Sequence, residues 1–213
     1  MEQTLRMVVG SRNKGKIREL NALLSQYLPG VELLSLDEAG ITETVEETGT
    51  TFAENALIKA RAAASTGLIG LADDSGLSVS ALDGEPGVFS ARYAEINGFG
   101  QGHSDADNNA LLLSRMEGKE DRSCSFICDM ACVFPDDPDH PIQVEGVCEG
   151  TLLDRAQGEG GFGYDPLFWY PALEKTFAQL SEEEKNAVSH RGCAVRALAL
   201  ALKRYLEKGK VEQ

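Results

Sequence analysis

A mixed α/β fold in two lobes is predicted for this chain by three features of its sequence. The first third alternates short apolar runs with amphipathic stretches, which is how βαβ units on a parallel sheet read. Later, Cys124, Phe126, Cys128, Met130, Cys132 and Phe134 place an apolar residue at every second position, the period of a half-buried strand. Pro135-Asp136-Asp137-Pro138 turns that strand back into a partner, Ile142 to Cys148. So long a hairpin points to a second lobe built on a sheet rather than on βαβ repeats. With 213 residues the chain can bury a real core. The expected organisation is one domain over 1–213, its second lobe built around the 123–150 hairpin.

Met7-Val8-Val9 opens as a short strand ending at Gly10, before the polar loop Ser11-Arg12-Asn13-Lys14-Gly15-Lys16. Ile17, Leu20, Leu23, Leu24 and Tyr27 then follow at helical spacing, with Asn13 or Ser11 as N-cap and Pro29-Gly30 as the stop. A strand running into a helix start presents free backbone N–H groups to an anion, and Lys14 and Lys16 add positive charge. The spaced glycines of a P-loop are missing, so an ordinary capped helix explains the loop equally well. Val31 to Leu36 reads as a second strand reached by a right-handed crossover. Asp37 to Thr50, with Glu38, Glu43, Glu46 and Glu47, has no core pattern and reads as a solvated acidic loop. Thr51-Phe52-Ala53-Glu54 is a capping box for a helix through Ser65, whose small face is Ala53, Ala56, Ala60 and Ala64. Asn55 and Lys59, four apart, project from one side of it.

Leu68 to Ala72 reads as a strand that ends at Asp73-Asp74-Ser75-Gly76. Paired carboxylates there can hold a divalent metal or activate water, or can be turn formers that satisfy their own backbone. Leu77 to Leu82 reads as another strand, with turns at Asp83-Gly84 and Pro86-Gly87. The glycine-rich run Asn97 to Gly102 reads as a loop, and Asp105 to Met116 as a helix stopped by Gly118. In Gly158 to Pro166, four glycines sit among Phe162, Tyr164, Phe168 and Trp169. Exposed amides beside flat rings suit a heterocyclic base; a glycine turn whose aromatics enter the core is the alternative. Ser181 to Glu184 is a second capping box opening a short helix that carries Lys185. His190 and Arg191 precede a long amphipathic helix from about Cys193 to Leu206, where they can meet a phosphate or a base edge.

Twenty basic against 34 acidic residues give a net charge of −14, which argues against binding to duplex nucleic acid or an anionic membrane. No apolar run approaches the roughly 20 residues of a membrane span, and Met1 leads into a charged segment without a signal-peptide pattern. Five cysteines are an odd number, and three of them share the apolar face of one strand. They read as small core hydrophobes with free thiols, and the simplest compartment is a reducing cytoplasm.

Six segments in order carry a resemblance that covers nearly the whole chain. They are Ser11…Asn13…Lys16; Glu46-Glu47-Thr48-Gly49 with Phe52-Ala53-Glu54-Asn55-Ala56 and Lys59-Ala60; and Ala72-Asp73-Asp74-Ser75-Gly76-Leu77. Pro86-Gly87…Ser90-Ala91-Arg92-Tyr93, Gly160-Gly161-Phe162-Gly163-Tyr164-Asp165-Pro166 and Lys185…Ser189-His190-Arg191 complete the set. Together they resemble the inosine/xanthosine triphosphate pyrophosphatases, the Ham1-type nucleotide hydrolases. The resemblance implies a two-lobed mixed α/β fold with a long twisted central sheet, an active site in the cleft between lobes, and a homodimer. It implies Mg²⁺-dependent hydrolysis of ITP, dITP and XTP to the nucleoside monophosphate and pyrophosphate, cleansing the nucleotide pool. By position, Ser11, Arg12, Asn13, Lys14, Gly15, Lys16 and Lys59 would hold the triphosphate, and Glu46 and Asp74 the Mg²⁺. Asp74, with Asp73 and Lys16, would form the catalytic group, and Ser75 would touch substrate. Phe162, Gly163, Tyr164, Asp165, Lys185, His190 and Arg191 would form the base pocket. Arg12 is a departure, since many members carry glycine there, and it is tolerable if its side chain points to solvent. Two rivals stand beside this reading: a pyrophosphatase of modified pyrimidine nucleotides, and a nucleotide sensor that does not hydrolyse.

Overall fold

The computed structural model describes residues 5–100 and 104–211, the side chains of 208–211 excepted. It divides into two compact units. The first comprises Met1–Asp74, Cys128–Gly146 and Arg191–Gln213; the second comprises Ser75–Ile127 and Val147–His190.

In the first unit the predicted alternation forms. β1 (Leu5–Val9) leads through α1 (Lys14–Tyr27) to β2 (Val31–Ser35), and β1 pairs in parallel with both β2 and β3 (Ile69–Val79). Asn13 is the N-cap of α1: its Oδ1 accepts from the Lys16 N–H at 3.1 Å. Leu20, Leu23 and Leu24 bury the apolar stripe of α1. α2 (Phe52–Ala64) starts with the predicted box, the Thr51 hydroxyl accepting from Glu54 N–H and Glu54 Oε2 from Thr51 N–H. Its small face allows an unusually close approach. A Cβ on Gly10 would lie 2.7 Å from the Lys59 carbonyl oxygen, and one on Gly70 would lie 2.0 Å from that of Ala60. Glycine just after β1 and within β3, with alanine on the helix, therefore brings α2 against the sheet, with Asn55 and Lys59 beside β3.

β3 departs from the sequence reading. Ala72 is not its last residue: the strand runs eleven residues through Asp73 and Asp74 to Val79, absorbing the start of the second predicted strand. Aspartate is disfavoured in strand interiors, so tertiary neighbours must compensate it here. Asp73 and Asp74 are both buried.

The second unit holds α3 (Tyr93–Ile96), α4 (Asp105–Arg115), β6 (Phe168–Tyr170), β7 (Lys175–Thr176) and α5 (Glu182–Val188). The hairpin of β4 (Ser123–Phe134) and β5 (Asp137–Leu152) contributes to both units, its tip to the first and its base to the second. The even-numbered residues Cys124 to Phe134 are all buried, as the period of two requires. The strands form one seven-stranded sheet in the order β2-β1-β3-β4-β5-β6-β7, parallel at β2-β1-β3 and antiparallel at β5-β6-β7. α6 (His190–Val211) starts three residues before the predicted Cys193. Its Ala194, Val195, Leu198, Ala199 and Leu202 pack in the core of the first unit.

Among the described residues none of the five cysteines forms a disulfide, and burial pushes the thiols of Cys124 and Cys132 up to about 12. Residues 101 and 102 of the glycine-rich run lie outside the described residues. No helix among the described residues is long and apolar enough to cross a membrane.

Candidate active site

In the first unit the acid pair meets three cations. Asp73 is fully buried, with Lys16 Nζ 3.3 Å and Arg191 Nη2 3.1 Å from its Oδ2. Burial would raise its proton affinity, but the charges of Lys16, Arg191 and Lys59 outweigh that and hold the carboxyl far below the usual range. Arg191, 1% exposed, also donates to Glu19 on α1.

Asp74 behaves oppositely. Its Oδ1 accepts from Lys59 Nζ at 2.8 Å and its Oδ2 from Asn55 Nδ2 at 3.3 Å. Burial dominates and, helped by Glu47, raises its proton affinity above that of an ordinary aspartate, although Lys59 and Lys16 oppose the change. Lys59 Nζ also donates to Glu47 Oε1 at 2.9 Å, so one ammonium serves two carboxylates. Adjacent acids on one strand are thus differentiated: Asp73 stays ionised, and Asp74 is the better proton acceptor.

The loop before α1 holds its own shape. Ser11 Oγ accepts from Asn13 N–H at 3.2 Å, in addition to the Asn13 cap. Lys14 is exposed, Gly15 half-buried, and Lys16 reaches back to Asp73. Arg12 does not point freely into solvent. Its guanidinium donates to Asp37 Oδ1 and to the carbonyls of Ile41 and Glu43. Glu46 is exposed, and it is the next residue, Glu47, that joins the lysine.

In the second unit the glycine-rich loop forms around a buried ion pair. Asp165 Oδ2 accepts from Lys185 Nζ at 2.7 Å and from the Phe162 N–H at 2.9 Å. Lys185 Nζ lies 4.7 Å from the centre of the half-buried Phe162 ring. Gly163, with φ +61°, is gripped on both sides by α4. Its N–H donates to Asp105 Oδ2 at 2.7 Å and its carbonyl accepts from Asn109 Nδ2 at 3.0 Å. Tyr164 is buried with its hydroxyl on the Ser90 carbonyl, and Phe168 is in the core, so these two rings take the interior role. The buried His190 ring stacks on Phe126 at 4.7 Å.

Most of the expected site residues thus gather in two groups: Lys16, Lys59, Asp73, Asp74 and Arg191 in the first unit, and Phe162 to Asp165, Lys185 and His190 in the second. Arg191 belongs with the acid pair rather than with Lys185, and Ser75 follows half-buried on β3. Glu19, Asp105 and Asn109 were not singled out by the sequence. Glu19 had a faint signal, standing three residues after Lys16 on one helix face.

Fold and side chains together define a mixed α/β protein with a cationic loop at a helix start and a buried acid–lysine cluster on the neighbouring strand. A sequence profile of the Ham1 family matches residues 7–201, and the chain belongs to that family. It is 48% identical over 196 residues to the dITP/XTP pyrophosphatase of Desulforamulus reducens, covering 90% of this chain and 92% of that one. It is 51% identical over 198 residues to the dITP/XTP pyrophosphatase of Geobacter sulfurreducens, covering 92% and 94%. Among solved structures it resembles the Staphylococcus aureus Ham1 protein, with a TM-score of 0.81, 40% identity and coverage of 94% and 99%.

Proposed function

We propose that this protein hydrolyses non-canonical purine nucleoside triphosphates, dITP, ITP and XTP, to the nucleoside monophosphate and pyrophosphate. The observation that carries the reading is the arrangement of the adjacent acids: Asp73 paired with Lys16 and Arg191, and Asp74 paired with Lys59. The names of the relatives support the substrate class.

A triphosphate carries about four negative charges, so the protein's task is mainly positioning and neutralisation. Ser11 to Lys16 supply backbone N–H groups and lysines at the start of α1, and Lys59 adds a further cation. Asp74 accepts a proton from the attacking water as its oxygen bonds to the α-phosphorus. The bond from that phosphorus to the oxygen bridging to the β-phosphate breaks, and pyrophosphate leaves. Asp73, kept ionised, fixes Lys16 and Arg191. Mg²⁺ takes hard oxygen ligands, and the acids here are of that kind: Asp74 and Glu47 share Lys59, and the exposed Glu46 adjoins Glu47 in the chain. Asp74 and Glu46 would hold the ion, with the remaining ligands from phosphate and water. When bound it would supply neutralising charge to the triphosphate.

Phe162 offers a ring face to a base, while Lys185 beside it, and His190, carry hydrogen-bond donors. A 6-oxo purine accepts from such donors; the 6-amino group of adenine does not and leaves them unpaired. The family resemblance extends the proposal to a homodimeric, cytoplasmic enzyme.

The test is a panel of dITP, ITP, XTP, dATP and dUTP with Mg²⁺, measuring pyrophosphate against orthophosphate. Pyrophosphate release from the first three, at least about 100-fold faster than from dATP, is expected, since a polar site can reject a near-isostere by that much or more. Equal rates across the panel, or orthophosphate as the product, would overturn the reading.

A further inference from the structure

We propose that Arg12 is a positioning residue: it ties the cationic loop before α1 to the acidic loop and so fixes the stretch that carries Glu46 and Glu47. The catalytic part of this inference rests on the function proposed above; the mechanical part does not.

The cationic loop does not need Arg12 for its own shape, because the side chains of Ser11 and Asn13 already bond its backbone. The guanidinium instead turns to the segment after β2. Nε donates to Asp37 Oδ1 at 3.2 Å, Nη2 to the Ile41 carbonyl at 2.8 Å, and both Nη atoms to the Glu43 carbonyl at 3.2 Å. One carboxylate and two carbonyls converge on a single planar fork, a demand that a point-charge ammonium cannot meet.

The segment it grips has little structure of its own. Its backbone bonds end at a turn, with Ala39 N–H on Ser35, Gly40 N–H on Asp37 and Ile41 N–H on Leu36. Between Ile41 and Gly49 the chain forms neither helix nor strand. Two side chains anchor the far end: Asn55 Oδ1 accepts from the Gly49 N–H at 2.8 Å, and Lys59 meets Glu47. Arg12 supplies the near anchor at Ile41 and Glu43. The acidic stretch is therefore suspended between α2 and the loop that starts α1, the loop proposed to hold the triphosphate. Arg12 thereby couples occupancy of the cationic loop to the position of the carboxylates.

Three variants test this: Arg12→Lys, Arg12→Gly and Asp37→Asn. Amide hydrogen exchange of the peptide covering residues 42–48 is the first readout, with β1 and α1 as the folding control. Both Arg12 variants are expected to speed exchange there about three- to tenfold, the worth of one or two surface hydrogen bonds, with the control unchanged. The milder Asp37→Asn should move the same peptide in the same direction. Steady-state kinetics with ITP and Mg²⁺ is the second readout. All three variants should raise KM for the Mg²⁺ nucleotide, and lysine should fail to rescue. In a double variant the effects of Arg12→Lys and Asp37→Asn should be less than additive, because both act on one contact.

Unchanged exchange at 42–48 in Arg12→Gly would overturn the proposal. So would full kinetic rescue by lysine with Asp37→Asn silent, since that pattern belongs to a direct phosphate contact. A parent enzyme that hydrolyses no nucleoside triphosphate would remove the functional reading, and the exchange measurement would still decide whether Arg12 holds the acidic loop.

Discussion

Asp73 and Asp74 are neighbours of identical chemistry on one strand, and alternation sends their side chains to opposite faces of the sheet. On one face Asp73 meets Lys16 and Arg191; on the other Asp74 meets Lys59 and Asn55. That geometry gives the two acids different partners, and the proposed division of labour rests on it. In the proposed mechanism it is Asp74, beside Lys59 and Asn55, that takes the proton from water. Replacing Asp74 by asparagine keeps the volume and a carbonyl oxygen for Lys59, so the fold should survive. Loss of a general base is worth about 10²- to 10⁴-fold, and kcat for ITP with Mg²⁺ should fall by that much. Circular dichroism should match the parent, and turnover within tenfold of the parent would remove Asp74 from this role. Which acid does what is invisible in the sequence, because the partners stand up to 118 residues away. The same limit applies to Glu46 and Glu47: in an irregular loop no periodicity says which of two adjacent glutamates turns inward.

Elements were more legible than side-chain partners. Both capping boxes, the Asn13 cap and the period-two hairpin strand are local patterns, and local patterns survive in the fold. β3 was misread at its centre, because aspartate in a strand is unfavourable unless buried cations compensate it, and those cations come from elsewhere in the chain. β6 and β7, of three and two residues, are too short to show a period. The grip of α4 on Gly163 escaped for another reason: Asp105 looks like a first-turn helix acid, and nothing local links it to a loop 58 residues on. Yet Asp105 and Asn109 lie one turn apart and bind the N–H and carbonyl of one residue. That residue sits between Phe162 and the Asp165–Lys185 pair, so α4 sets where the loop presents its ring. Asp105→Ala should therefore raise KM for XTP about five- to tenfold, the worth of one charge-assisted bond near the surface, with kcat changed less than about twofold. A fall in kcat at constant KM would show that α4 acts elsewhere.

At the scale of the whole molecule, three separate stretches of chain make the first unit, and Asp73 is where they meet. Lys16 comes from the first stretch, the Cys128 thiol, 3.9 Å away, from the second and Arg191 from the third. Neither Asp73 nor Arg191 touches solvent appreciably, and removing one partner of a buried ion pair costs about 3–5 kcal/mol even though Glu19 stays beside Arg191. Asp73→Asn should lose about that much stability at pH 7 in urea titrations. The cost should also depend on pH in a defined direction. The folded-state pKa of Asp73 lies well below its ordinary value of 3.8, so its contribution is fully present above that pH. As the pH falls below it, the unfolded chain takes up the proton first and the contribution is progressively lost. Parent and variant share all their other titratable groups, so the change in general repulsion on acidification is common to both, and the difference between them isolates this one group. The stability gap should narrow between pH 4 and pH 2 and stay constant from pH 5 to pH 8. A gap that persists unchanged at pH 2 would mean that Asp73 stabilises through packing and hydrogen bonding rather than as the ionised partner of Arg191 and Lys16.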